Sequence, residues 1–226
     1  METVTPAQPI AENRLLRETV YEQLRADMIS CSLAPGTEIR EAELAARFEM
    51  SKSPVRDALM RLEREGLVIS LPRQGYRVAP VSLSEVLDMF HLRAALERAC
   101  VERIVLHASD EDLEALNTFR HFDAGAWDGG FIAYNRAFHR RIAHLGANAR
   151  MRDQLIDLID LMERAVQISL NNMNKGDPHS AVSEHSGLID ALQARSVKRA
   201  QRLAEQHVVT AGKRVSNAIA RSIVVT

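Results

Sequence analysis

A chain of 226 residues with 46% hydrophobic, 26% charged and 4% aromatic content holds enough apolar material for two modest domains, and suits Leu/Ala-rich helices better than a β-sandwich. A formal net charge of −1 excludes a protein that clings to nucleic acid by bulk charge, so any such affinity has to come from a local patch. No apolar run reaches the roughly eighteen residues of a membrane span, and the first eleven residues are polar with Pro6 and Pro9, unlike a secretory leader. The expectation is a cytoplasmic protein with a disordered start over residues 1–11. Cys31 and Cys100, each in a segment read as helix, are expected to be reduced filler.

A first domain is predicted over residues 12–80. From Glu41 to Gly66 the sequence reads as two short helices and a tight turn: Leu44, Ala45 and Phe48 share one face, and Val55, Leu59 and Leu62 share another. Ser51 or Ser53 can cap the second helix, and Pro54 suits its first position, where a missing N–H costs nothing. Lys52, Ser53 and Arg56 then surround a positive, N–H-rich helix start, a site for phosphate and guanine edges. Gly66 ends this helix, Leu67 to Ser70 is β-rich, Pro72 to Gly75 is a turn, and Tyr76 to Val78 is a second strand. Such a hairpin brings Arg73 and Gln74 to the DNA backbone or minor groove, and Gly75 permits close backbone approach. The domain carries 11 Lys or Arg against 11 Asp or Glu, so only the arrangement of its charges helps; Arg40, Lys52, Arg56, Arg73 and Arg77 are placed on the DNA side.

The run Leu-Ala-Ala-Arg-Phe, then Ser-Lys-Ser-Pro-Val-Arg-Asp-Ala-Leu, then Leu-Glu-Arg-Glu-Gly-Leu-Val resembles the amino-terminal winged helix-turn-helix of GntR-family bacterial transcription regulators, over residues 14 to 80. The resemblance implies a homodimer that places Ser53, Pro54 and Arg56 of each copy in successive major grooves of a palindromic double-stranded operator.

From residue 81 to 226 helical periodicity takes over, with breaks at Ala108-Ser109, Ala124-Gly125, Gly129-Gly130, Gly146-Ala147, Lys175 to Pro178 and Arg195-Ser196 that leave about six helices. The first shows Val86, Leu87, Phe90, Ala94, Val101, Ile104 and Val105 on one face; the helix after Gly146 shows Leu155, Leu158, Ile159, Met162 and Val166. Three others carry polar groups on apolar stripes. Asn135 and His139 lie with Phe131, Phe138 and Ile142, His185 with Val182, Leu188 and Ile189, and His207 with Leu203, Ala204 and Val208. Asn135 and His139 stand one turn apart and can share an ion, and the two other histidines can close its shell. Three imidazoles and an amide oxygen suit zinc, nickel or manganese; a lone buried histidine is more often a satisfied core residue than a ligand, and three on three helices shift that balance. Glu184, one position from His185, is rotated by about 100° and is expected to point elsewhere.

Residues 83 to 223 resemble the all-helical FCD effector domain of the FadR-type branch, and six helices rather than seven resemble its shorter, VanR-like members. That domain commonly carries an acidic residue, a His four later, a Glu-His pair, and a His 22 residues on. Asn135, His139, Glu184-His185 and His207 match in spacing, with Asn135 in the acidic place. The resemblance implies a small carboxylic acid as effector, with Arg93 taking a carboxylate oxygen; the competing assignment for Arg93 is a surface pair with Glu97 worth a few tenths of a kcal/mol. The expected function is a ligand-responsive regulator, a repressor rather than an enzyme. The other readings are a helical domain that is only a metal-free dimerisation scaffold, and a three-histidine metallohydrolase, which lacks a placed base.

Overall fold

A computed structural model of the chain describes residues 8–172 and 178–223, in two compact units, residues 1–81 and 82–226. The disordered start expected over residues 1–11 lies largely outside the described residues, which open at Gln8 inside a helix, and so does most of the break at Lys175 to Pro178.

The first unit contains α1 (Gln8–Ile29), β1 (Glu38–Ile39), α2 (Glu41–Arg47), α3 (Lys52–Arg64), β2 (Val68–Leu71) and β3 (Gly75–Val78). α1 packs on α3, and Val20, Leu24 and Met28 of the one with Val55, Leu59 and Leu62 of the other supply the core. α3 ends in a Schellman motif: Gly66 takes φ +73°, Leu67 N–H donates to Leu62 O at 2.9 Å, and Gly66 N–H donates to Glu63 O at 3.0 Å.

Four sequence expectations change here. Pro54 is the third residue of α3, not the first, and is buried; the first four N–H groups of any helix lack intrahelical partners, so the position tolerates proline equally well. Ser51 occupies the N-cap position without a side-chain capping bond. The hairpin is part of a three-stranded antiparallel sheet, ordered β1-β3-β2, in which Glu38 pairs with Arg77 and Ile39 with Tyr76. β1 is two residues long, too short to show alternation. Cys31 lies in a turn after α1, at φ +59°, not in the helix.

The second unit contains α4 (Leu83–His107), α5 (Asp110–Glu114), a 3-10 turn (Ala115–Phe119), α6 (Gly130–Leu145), α7 (Ala149–Asn172), α8 (Pro178–Gln193) and α9 (Val197–Ile223). Ser82 and Ser109 cap α4 and α5, accepting from the N–H groups of Glu85 and Asp112. α4 packs against α6, α7, α8 and α9, most extensively against α9, so its inward stripe is the spine of the bundle. Val86, Phe90, Ala94, Val101, Ile104 and Val105 are buried on that stripe, whereas Leu87 is exposed because it falls one residue past Val86 and about 100° around the helix. No helix among the described residues is long and apolar enough to cross a membrane.

The α4–α9 contact is close because Gly212 has no side chain: a Cβ there would stand 2.9 Å from Phe90 Cγ. Gly212→Val forces Phe90 off its position and overpacks the seam. The expected result is a loss of about 1–3 kcal/mol in urea or thermal unfolding; an unchanged midpoint would show that α4 and α9 separate without cost.

Candidate functional site

In the first unit Lys52, Ser53, Arg56, Arg40, Arg73 and Gln74 are all exposed. Lys52 and Ser53 open α3, Arg56 follows one turn later, and Arg73 and Gln74 form the hairpin tip, with Arg73 at φ +64°. The Arg56 guanidinium is held by Glu41 through two hydrogen bonds, 2.9 Å from Nε and 2.7 Å from Nη2. Arg40 stands 3.9 Å from Glu43, and Arg77 3.4 Å from Glu38. Two residues assigned to DNA have internal duties instead. Pro54 is buried in its own domain, and Gly75, at φ +103°, is where a Cβ would stand 2.5 Å from Ile39 O, so its missing side chain admits β1 rather than DNA.

In the second unit His139 of α6, His185 of α8 and His207 of α9 meet in the core, all three buried, with their ligand atoms within 4.8 Å of one another. His139 Nε2 and His207 Nε2 face each other at 3.2 Å. Each ring has a different group behind its Nδ1. Glu184 Oε2 lies 2.5 Å from His207 Nδ1 and Glu97 Oε1 lies 3.0 Å from His139 Nδ1. Tyr134 O–H donates to Phe119 O at 2.6 Å, so its oxygen is left to accept from His185 Nδ1–H at 3.1 Å.

Glu184 and Tyr134 place a proton on Nδ1 of His207 and His185, and the Glu97 carboxylate 3.0 Å from His139 Nδ1 favours the same tautomer there although the contact lacks hydrogen-bond geometry, so that each Nε2 keeps a lone pair. Among the described residues His185 Nε2 has no hydrogen-bond partner although it is buried. Two lone pairs facing at 3.2 Å beside a third orphaned one form a donor set that fits a divalent transition metal, with carboxylates and a phenol orienting the rings from behind. Burial pushes His185 well below its ordinary range, which keeps it neutral as a ligand must be.

Asn135, one turn before His139, lines a cavity of about 240 Å³ together with His139 and His207. Arg93 also lines it and is 4% exposed, so the surface reading of Arg93 and Glu97 is corrected: this is a buried pair, 2.7 Å from Nε to Oε1. Glu97 is held well below the usual carboxylate range; burial opposes this, and the neighbouring His139 and the Arg93 guanidinium outweigh it. Arg93 Nη2 has no hydrogen-bond partner among the described residues.

Glu184 is a further correction. The rotation by about 100° takes it off the axis of His185 but turns it toward α9, where it meets His207 and, at 3.4 Å, Arg214. Sequence reasoning also missed Arg214, which donates to Ser180 at 2.9 Å and lines the cavity, and the walls Phe90, Phe131, Val166, Leu170 and Val215. Phe138 and Met162 are core, and Leu87 is exposed. Cys100 is buried, and its thiol is pushed up to about 12, chiefly by burial, which leaves it inert.

A family model described as "FCD domain" matches residues 88–210, and one described as "Bacterial regulatory proteins, gntR family" matches residues 16–78. The HTH-type transcriptional repressor GlaR of Escherichia coli (strain K12) is 31% identical over 209 residues, 84% of this chain and 91% of that protein. The HTH-type transcriptional repressor RspR of the same organism is 25% identical over 209 residues, 91% of this chain and 88% of that protein. The solved structure of E. coli McbR/YncC shares the fold at TM-score 0.71 and 22% identity, over 86% of this chain and 94% of that one.

The His139 environment sets a pH dependence for the metal-free protein. Burial first, and the Arg93 charge second, push His139 down to about 4 from 6.5. The unfolded chain therefore binds this proton first, and the stability involved is complete above about pH 6.5 and lost as pH falls through about 4. Urea unfolding between pH 7 and pH 4.5 is expected to show a midpoint that drops with pH, with a shallower drop in His139→Gln; equal slopes would contradict the assignment.

Proposed function

Because the chain belongs to the GntR family of bacterial transcription regulators and carries an FCD domain, we propose that it is a ligand-responsive repressor which binds a palindromic operator as a cytoplasmic homodimer. The family consists of regulators rather than enzymes, which leaves the metallohydrolase reading without support. The effector we infer is a small organic acid, bound in the cavity of the helical domain beside a divalent cation. The observation that carries the sensor reading is the meeting of three buried imidazoles from three helices, His185 with an orphaned Nε2 and His139 and His207 at the wall of a cavity that Arg93 also lines.

On the DNA side, α3 enters the major groove by its amino-terminal end, where Lys52 and Ser53 meet phosphate and Arg56 reads a base edge. Glu41 orients the Arg56 fork through Nε and Nη2. Arg40, Arg73 and Gln74 clamp the backbone. Arg56→Ala is expected to cost about 1–3 kcal/mol of operator affinity and to relax sequence preference at one position of each half-site. Lys52→Ala should weaken all sequences alike and reduce the salt slope by about one. Competitive fluorescence anisotropy with specific and scrambled duplexes distinguishes the two; identical losses on both duplexes for Arg56→Ala would remove it from base readout.

On the effector side, a bound cation supplies a positive centre with open positions for a carboxylate. Asn135, His139, His185 and His207 hold it, and Arg93 orients the acid. Phe90 and Arg93 sit on α4, the helix that follows β3 in the chain, so a ligand drawing on them acts on the element that leads from the reading head. Release of DNA follows from a difference in acid affinity between DNA-bound and free arrangements, and from nothing else. Metal-stripped protein is expected to melt higher with zinc, nickel or manganese, by RT ln(1 + [L]/Kd) in stability, and His139→Ala should abolish the rise. No rise with any of the three ions would support the domain as a metal-free dimerisation scaffold.

A further inference from the structure

Among the described residues, three of the cations assigned to DNA face carboxylates, and they do so in different ways. Arg40 stands 3.9 Å from Glu43 and Arg77 3.4 Å from Glu38, both longer than a charge-assisted hydrogen bond. Arg56 is fixed. Glu41, the first residue of α2, takes Nε–H at 2.9 Å on one carboxylate oxygen and Nη2–H at 2.7 Å on the other, a side-on fork that joins two helices. The Glu41 side chain is 20% exposed and that of Arg56 57%, so the carboxylate is the sheltered partner and the guanidinium the presented one. Glu41 is held below the usual carboxylate range, chiefly by its hydrogen bond from Arg56, which keeps the pair ionised.

A guanidinium carries five N–H groups in a rigid fork, and Glu41 takes two of them. Both protons of Nη1 and the second proton of Nη2 are left, and they include the end-on edge, where one N–H of each nitrogen runs parallel to the other. That edge matches O6 and N7 of guanine, the one base that presents two adjacent acceptors in the major groove. The same carboxylate cancels the charge. Arg56 and Glu41 together bring no net charge to the phosphates, so the pair releases few counterions on binding. An ion pair this exposed adds little to stability, so what Glu41 changes is the aim and the charge of one side chain. Arg56 has also lost its rotamer freedom before DNA arrives.

We infer that Glu41 determines the specificity of the reading head: resting on the entry of α3 into the major groove, it fixes Arg56 to offer its end-on edge to guanine and withholds a free cation from the phosphates. Glu41 acts through Arg56 and is a positioning residue. Removing it therefore strengthens binding to arbitrary sequence while it weakens selection of the right one. Glu43 supplies the matched comparison. It stands in the same first turn of α2, with the same charge and the same relation to the helix dipole, but faces Arg40 only at 3.9 Å.

The test is selection of duplexes from a randomised pool by the full chain, repeated with Arg56→Ala, Arg56→Lys, Glu41→Ala, Glu41→Gln and Glu43→Ala. Fluorescence anisotropy across a salt series then gives the affinity of each protein for the duplex that wild type enriches and for a scrambled one. Wild type is expected to select guanine at one position of each half-site, and both Arg56 variants to lose it, since lysine keeps the charge without the fork. Glu41→Ala is expected to lose the same guanine, with an enriched-to-scrambled affinity ratio reduced about tenfold, while it binds scrambled duplex tighter and its salt slope steepens by about one per head. Glu41→Gln, close in volume and uncharged, is expected to change in the same direction, which guards against a head that Glu41→Ala merely unfolds. Glu43→Ala is expected to steepen the slope alike and keep the guanine. Guanine selection that survives both Glu41 variants, or that falls equally in Glu43→Ala, overturns the inference, and so does an unchanged salt slope in both Glu41 variants. Guanine retained in Arg56→Lys overturns the bidentate contact. A wild-type protein that enriches no sequence, or a preference that Arg56→Ala leaves intact, instead overturns the placement of Arg56 in the groove on which the inference rests.

Discussion

The buried pair of Arg93 and Glu97 is the constraint on which the helical domain depends. Each ion loses several kcal/mol of hydration on burial, and the 2.7 Å contact between them offsets this only while both are present. Glu97 is completely buried and Arg93 is 4% exposed, so removing either partner would strand a full charge in the spine of the bundle. Apolar residues at both positions would serve stability as well or better. What they would not do is set charge beside an imidazole and a cavity: Glu97 also stands 3.0 Å from His139 Nδ1, and Arg93 lines the cavity. One pair, one turn apart on α4, thereby bears on both the tautomer of His139 and the polarity of the cavity.

The same logic extends around the cluster with two kinds of group behind the three rings. A carboxylate backs His139, a phenol backs His185, and a second carboxylate backs His207. The phenol is itself committed, because Tyr134 donates to Phe119 O and sits in an aromatic nest with Phe119, Phe122, Trp127 and Phe131. Tyr134 is pushed up to about 12 by burial, so it remains a neutral hydrogen-bonding group. His185 also stacks on Phe138 at 3.9 Å between centroids, which holds its ring plane from the apolar side. The rings are thus oriented before any ligand arrives, and binding does not have to order them.

What was legible in the sequence was what periodicity carries. The stripe spacing of Leu44 and Ala45, of Val55, Leu59 and Leu62, and of the inward faces of α4 and α7 follows from the helical repeat, and so does the inward direction of His139, His185 and His207. Periodicity says which face turns in, not which helix it meets. Glu184 was therefore sent away from the site when it needed only to reach α9, and Arg214, 30 residues from Glu184, had no local signal at all. β1 was invisible because two residues cannot alternate, and its presence reassigns Gly75 from DNA approach to strand approach. Pro54 shows the same limit at a helix start: a sequence places proline within the first turn and does not say whether its ring faces solvent or core.

The reading head poses the opposite electrostatic problem from the cavity. Its 11 basic residues are balanced by 11 acidic ones, and three of the cations assigned to DNA already face carboxylates: Arg56 with Glu41, Arg40 with Glu43, and Arg77 with Glu38. These are solvent-exposed contacts, each weak by itself. Phosphate has to compete with those carboxylates, so non-specific attraction to DNA is low and a single head gains little from charge alone. In the proposed homodimer, affinity would depend on two heads engaging one palindrome together, since the second engagement is intramolecular and its strength is set by how well their spacing matches the half-sites. A head of this kind gives a small change in spacing a large effect on occupancy, which is the property a ligand bound in the helical domain would need to exploit.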